Sequence, residues 1–246
     1  MEATFAHDIT VMPSQVDSRT QLSVADCFGL FMDAATLHAE QLGIGMSFLM
    51  QKGLFWLTVR TRVHFYRRPK MLETVEISTW PERPEGTHCN RQYAMAKGYE
   101  VLAVGRTQWA IMNMKTGRLE SAEGIFPEGL DIPETPSCTR PFAHIDETFE
   151  AEPFATHLVT SADIDFGGHM NNVAYVRALM GAFSTKELNA MRLAEAEVVF
   201  RAPCFEGDVL YFQRRDSEGM TEVRAHLQDG RTALLARLTH GKRDER

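Results

Sequence analysis

The segment Asp163-Ile-Asp-Phe-Gly-Gly-His-Met-Asn-Asn-Val-Ala-Tyr175 gathers carboxylates, two glycines, a histidine, two amides and a phenol in one short stretch. A carboxylate at Asp165 can take a proton from water or attack a carbonyl carbon itself. His169 can orient that carboxylate, polarise a carbonyl or help a leaving group depart. Gly167 and Gly168 let the backbone turn tightly and approach a ligand. The surrounding pattern reads as a strand giving way to a helix. Peptide N–H groups at a helix start lack intrahelical partners and, with the macrodipole, favour negative charge. Each donor aimed at a developing oxyanion is worth about 10²–10³ in rate. Asn171 and Asn172 can offer amide donors, either to a ligand or to the opposite wall of the site. The plainer alternative stands beside this one: Asp before Gly-Gly is a common turn, Asn-Asn caps helices, and a histidine often sits satisfied in a core.

The rest of the chain must hold that segment. A short strand is expected over Phe5 to Val11. Ser23 then caps a helix, with Asp26 completing an approximate capping box, and apolar residues recur at Phe28, Phe31, Met32, Ala35 and Leu42 before Gly43 and Gly45 end it. From Leu57 to Phe65 the pattern alternates, with Leu57, Val59, Thr61, Val63 and Phe65 on one face and Arg60, Arg62 and His64 on the other. This predicts a half-buried strand that Pro69 stops. Strands follow at Thr74 to Trp80 and on both sides of a hairpin at Lys97-Gly98. Between 118 and 153 lie five of the ten prolines, which reads as a linker. Beyond it the plan repeats. A strand reaches Ile164, a helix is expected from about Met170 to Leu188, EAEVVFRAPCFEGDVLYFQ aligns with RTRVHFYRRPKMLETVEIS, and Asp229-Gly230 answers Lys97-Gly98.

The expected division is a first unit at 1–125, a linker at 126–153 and a second unit at 154–246. Each unit is a long helix followed by antiparallel strands, which must bury the helix in the sheet's concave face. The class is therefore α+β, as two tandem hotdog domains.

The formal net charge is −7 and the pI about 5.7, against non-specific nucleic-acid binding, which needs a basic face. Cys27, Cys89, Cys138 and Cys204 lie far apart, with neither zinc-ligand spacing nor a disulfide framework, so no metal or redox cofactor is expected. That cysteine usage points to a reducing, cytoplasmic setting. The opening MEATFAHDIT lacks the apolar core of a secretory signal, and no run approaches the roughly 18 apolar residues of a membrane helix.

The pattern D-x-x-G-H-x-N-N-x-x-Y, here Asp165, Gly168, His169, Asn171, Asn172 and Tyr175, resembles the signature of the 4-hydroxybenzoyl-CoA thioesterase branch of hotdog enzymes. Residues 5 to 240 resemble a narrower group, the acyl-acyl carrier protein thioesterases, through FWLTVRTRVHFYRRP, ETVEISTWP and GRTQWAIMNMKTGR, with Trp56, Trp80 and Trp109 placed as in that group. The resemblance implies a hydrolase of fatty acid biosynthesis that frees a fatty acid from its carrier thiol. It implies Asp165 and His169 as catalytic groups, with Gly168 and Asn171 about the thioester carbonyl. Asn172, Tyr175, Phe31 and Trp56 would touch substrate, the first unit serving the acyl chain. The implied partner is acyl carrier protein, an acidic protein that a local basic surface would steer; Arg60, Arg62, Arg67 and Arg68 are the candidates. One chain supplies both units, so a monomer suffices and a homodimer stays open. Two positions depart from the group: Gly167 stands where it usually has Asn, and Pro203 where it usually has Glu. That leaves the simpler Asp–His scheme, with Glu206 nearby. The alternatives are an acyl-CoA thioesterase on the same scaffold, a non-catalytic acyl-thioester binding protein, and a hotdog dehydratase acting on 3-hydroxyacyl thioesters.

Overall fold

Ser23 starts the first long helix by accepting the Asp26 N–H at 3.0 Å, and Asp26 takes the Ser23 hydroxyl in return. The helix, α1 (Val24–Gln41), ends where Gly43 adopts φ +70°, and a short α2 (Met46–Gln51) follows. The computed structural model describes residues 3–127, 129–134 and 137–241. Around α1 lie β1 (Phe5–Thr10), β2 (Leu54–Phe65), β3 (Thr74–Pro81), β4 (His88–Lys97), β5 (Glu100–Asn113) and the two-residue β6 (Leu119–Glu120). The second half supplies β7 (Ala155–Leu158), α3 (Asn172–Gly181), α4 (Thr185–Met191), β8 (Leu193–Phe200), β9 (Val209–Ser217), β10 (Met220–His226) and β11 (Thr232–His240).

All strand pairs are antiparallel, and they form one sheet in the order β1-β3-β4-β5-β2-β8-β11-β10-β9-β7, with β6 on β5. The order reads the same from both edges once each strand is replaced by its counterpart. The repeat seen in the sequence is thus a pseudo-two-fold axis through the β2–β8 seam, where Arg62 pairs with Glu197 and His64 with Glu195. A single apolar core crosses the axis: Phe31, Val63 and Met95 from one half join Val198, Phe212 and Leu234 from the other. The two long helices pack on the same side of the sheet. This is the double hotdog expected from the sequence.

Three elements differ from the sequence reading. The strand expected to reach Ile164 stops at Leu158, and a single 3-10 turn at Ser161–Asp163 follows it. The helix expected over Met170 to Leu188 is two helices, because Ser184 caps α4, accepting the Glu187 N–H while Glu187 binds back to the Ser184 N–H. The polar face of β2 is not solvated. Arg62 keeps 4% of its surface, because the connection between the halves crosses that face. Between β6 and β7 no helix or strand forms among the described residues, yet the connection is fastened all along. Cys138 N–H donates to Gln92 at 2.9 Å, Arg62 to Arg140 O at 3.1 Å, Ala143 N–H to Glu197 at 3.0 Å and Arg237 to His144 O at 2.6 Å. Flexible composition does not set the conformation here; buried polar side chains on the outer sheet face need partners, and the crossing backbone supplies them.

Candidate active site

Ile164 and Met170 form an isolated antiparallel bridge, so the residues between them close a tight loop. Asp165 N–H donates to His169 O at 3.0 Å and Gly168 N–H to Asp165 O at 3.0 Å. Gly168 holds φ +77°, the left-handed region that a residue with Cβ enters only at a cost. The loop is tied below by Asn171 N–H to Asp163 O and sideways by Met170 N–H to Cys204 O, both 2.8 Å. Asp163 in turn accepts the Thr160 N–H and hydroxyl and lies 3.2 Å from His157 Nε2. This support was not evident in the sequence.

On this frame Asp165 Oδ1 accepts the Gly167 N–H at 2.7 Å and lies 3.7 Å from His169 Nδ1, beyond a direct hydrogen bond. Asp165 Oδ2 has no partner among the described residues. The carboxylate side chain keeps 18% of its surface and the imidazole 43%, so the pair opens to solvent. A Cβ on Gly167 would stand 3.0 Å from both Asp165 Oδ1 and His169 Nε2. The glycine thus lets the carboxylate and the imidazole close over its backbone, leaving little room for a larger side chain at this position. Glu206 is exposed and makes neither a hydrogen bond nor an ion pair with Asp165 or His169 among the described residues. Cys204 is fully buried, and burial raises its thiol pKa, which keeps it from acting as a thiolate nucleophile.

The helix opens later than expected. Asn171 is the cap of α3, its Oδ1 accepting the Val173 N–H at 2.8 Å, while the Gly168 N–H is taken up inside the loop. The N–H groups of His169 and Asn172 donate no hydrogen bond among the described residues, and these two are available to an oxyanion. Asn171→Ala is expected to cost about 1 kcal/mol. A urea titration checks this, and an unchanged midpoint would show that the cap carries nothing.

The same loop exists in the first half. Val16 and Leu22 form the equivalent bridge, Asp17 N–H donates to Gln21 O at 2.8 Å, Thr20 N–H to Asp17 O at 2.9 Å, and Leu22 N–H to Pro69 O at 2.8 Å. Thr20 adopts φ 56° where Gly168 has φ +77°. Asp17 thus corresponds to Asp165 and Gln21 to His169. Here, however, Arg68 Nη1 sits 2.6 Å from Asp17 Oδ2, the oxygen that is free in Asp165. Pro203, before Cys204, stands where Arg68 precedes Pro69, so nothing equivalent reaches Asp165. The aspartate shared by the two loops was the sequence signal for this pairing.

The other candidates are dispersed. Tyr175 is buried and donates its hydroxyl to Ala202 O at 3.0 Å, pinning α3 to the loop after β8. Phe31 has no exposed surface and stacks on Tyr93, so it is packed core. Trp56 belongs to a satellite cluster with Ile44, Ile125 and Phe126, its indole N–H donating to Ile44 O at 2.9 Å. Asn172 opens α3 and is half-buried. The four arginines do not make one free basic patch. Arg62 is buried against Glu197 and Glu195, Arg67 binds Glu73 and Glu100, Arg68 binds Asp17, and Arg60 lies over the Phe142 ring.

Residues 2–126 match the profile of the acyl-ACP thioesterase N-terminal domain and residues 147–239 that of the C-terminal domain. The chain belongs to the acyl-ACP thioesterase family. It is 28% identical over 200 residues to an oleoyl-acyl carrier protein thioesterase of Coriandrum sativum, covering 74% of this chain and 54% of that protein. It is 22% identical over 252 residues to a palmitoyl-acyl carrier protein thioesterase of Gossypium hirsutum, covering 96% and 61%. It thus spans a little over half the length of the curated relatives it matches. Among solved structures, an acyl-ACP thioesterase of Bacteroides thetaiotaomicron superposes with TM-score 0.88 at 20% identity, over 97% of this chain and 98% of that one. The 12:0-ACP thioesterase of Umbellularia californica gives 0.80 at 18%, over 98% of each. These likenesses establish the double hotdog fold. Within the family fold, this chain carries the Asp165–Gly167–His169 loop and its closed counterpart at Asp17.

Proposed function

We propose that this family member hydrolyses a fatty acyl thioester carried by acyl carrier protein, releasing free fatty acid and the carrier thiol, as a step of fatty acid biosynthesis. The observation that carries the reading is the difference between the two loops: the same fold closes Asp17 with Arg68 and leaves Asp165 Oδ2 free beside His169. Asp165 Oδ2 takes a proton from water as the water oxygen adds to the thioester carbonyl carbon. The N–H groups of His169 and Asn172 hold the oxyanion. Collapse breaks the C–S bond, and the departing thiolate is protonated by His169 or solvent. The chain's own groups supply this sequence.

A single chain contains both halves, so a monomer suffices for it. Its four free, buried cysteines fit a reducing, cytoplasmic setting. No helix among the described residues is long and apolar enough to cross a membrane. Because the four arginines are engaged or covered, docking of the carrier is not assigned to them.

Product analysis tests the reaction class. Free acid and free thiol from an acyl-acyl carrier protein support hydrolysis; an enoyl thioester from a 3-hydroxyacyl substrate would replace it with dehydration. His169→Ala is expected to lower kcat about 10²-fold. Wild-type turnover in that variant would remove the histidine from the scheme.

A further inference from the structure

On the helix-facing side of the first half, β4 presents Cys89, Arg91, Tyr93 and Met95, all buried. The Tyr93 ring fixes that face by stacking on Phe31 of α1, centroids 4.8 Å apart and 10° from parallel. Arg91, two residues away, shares it. Its Nη1 donates to His38 Nδ1 of α1 at 2.9 Å and to Thr79 Oγ1 at 3.3 Å, so that ring nitrogen is the acceptor. No carboxylate pairs with Arg91 among the described residues, although it keeps only 5% of its surface. Beside it the Tyr93 hydroxyl and the Trp109 indole N–H are buried near Thr107, close enough to interact but without hydrogen-bonding geometry.

A buried cation without a counter-charge is costly, and so are buried donors without acceptors. The second half shows that the fold does not require them. Aligned on the matching bulges at Met95/Ala96 and Ala225/His226, Thr221 and Val223 of β10 occupy the positions of Arg91 and Tyr93; both are fully buried and neither carries a charge. The cluster also lies along α1 from the candidate active site. Gly29 of α1 faces Val173 in the first turn of α3, and His38 stands about 13 Å further along the helix at 1.5 Å per residue.

We propose that Arg91, with Tyr93 and Trp109, forms the far end of the acyl site and selects a chain tipped with a carboxylate, an ω-carboxyacyl thioester. The assignment rests on the thioesterase reading for the position of the thioester end. The carboxylate would supply the missing counter-charge, accept the free guanidinium N–H groups bidentately and take the phenol and indole donors.

The test uses unreactive thioether analogues of acyl-pantetheine with plain and carboxylate-tipped chains of equal length. Binding to the whole protein is followed by tryptophan fluorescence, alongside hydrolysis of the matching thioesters. Wild type is expected to bind the carboxylate-tipped analogue about tenfold more tightly or better. Arg91→Met should remove that preference and Arg91→Lys retain part of it. Without ligand, Arg91→Met should unfold at the same or a higher temperature, since it removes an uncompensated charge. Equal binding of both analogues by wild type, a preference surviving in Arg91→Met, or a clear fall in its unfolding temperature would each overturn the proposal. If neither thioester is hydrolysed while the Arg91-dependent preference persists, the thioesterase reading fails and the assignment of Arg91 stands.

Discussion

Asp165→Asn is expected to lower kcat about 10³-fold while leaving the fold intact, a loss of about 4 kcal/mol of transition-state stabilisation. The variant is discriminating because asparagine keeps the shape and the acceptor. Its amide oxygen can still receive the Gly167 N–H that Asp165 Oδ1 receives at 2.7 Å, and the loop's backbone hydrogen bonds are untouched. What disappears is the ability of the second oxygen to take a proton from water. The control lies across the pseudo-two-fold axis. Asp17→Asn makes the same chemical change in the same turn, but there the carboxylate is held by Arg68, so kcat should stay within about twofold. Thiol release for the kinetics and circular dichroism for the fold check both variants. Equal losses in the two would assign both aspartates to structure.

Glu197→Ala is expected to be the most destabilising single change at the seam, by about 3–5 kcal/mol. Glu197 keeps 1% of its surface; it binds the Arg62 guanidinium through Nε at 2.8 Å and through Nη2, and accepts the Ala143 N–H. One carboxylate therefore joins β8, β2 and the crossing connection. Removing it leaves Arg62 charged and buried and releases the backbone above it. The double change Arg62→Met with Glu197→Leu should recover most of the loss, since replacing a buried pair by packed apolar groups is often neutral or stabilising. Urea unfolding of the three variants measures this. A single-variant loss below 1 kcal/mol would mean that solvent reaches Arg62 and that the seam is held by the sheet alone.

The architecture was legible where local chemistry and periodicity agreed. Ser23 with Asp26 starts α1, the hairpin at Gly98 joins β4 to β5, and the two aligned segments become β2–β3 and β8–β9. Periodicity could not show that the halves share one sheet. The alternation of β2 predicts a solvated face carrying Arg62, but burial of that face depends on Glu197, far along the chain, and on a connection whose prolines suggested looseness. The helix after the active loop was read as continuous because Ser184 carries no break signal until its capping box with Glu187 is recognised. At the site, Asp165 and His169 do come together. Asn171, in contrast, acts through its side chain as a helix cap and Tyr175 as a tether, the plainer roles those residue types often take. Asp17 matches Asp165 in residue type, but Arg19, Thr20 and Gln21 replace the glycines and histidine, so it is the backbone hydrogen bonds that show the two turns to be the same.

The most direct test of the central claim is the initial rate of thiol release from one fatty acyl chain presented on acyl carrier protein and on coenzyme A, with wild type and Asp165→Asn side by side. The account predicts rapid release of thiol and free acid from the carrier protein, slower release from coenzyme A, and near-complete loss of both in the variant. Binding of the acylated carrier without any turnover would contradict it, leaving a protein that holds acyl thioesters on an enzyme's scaffold.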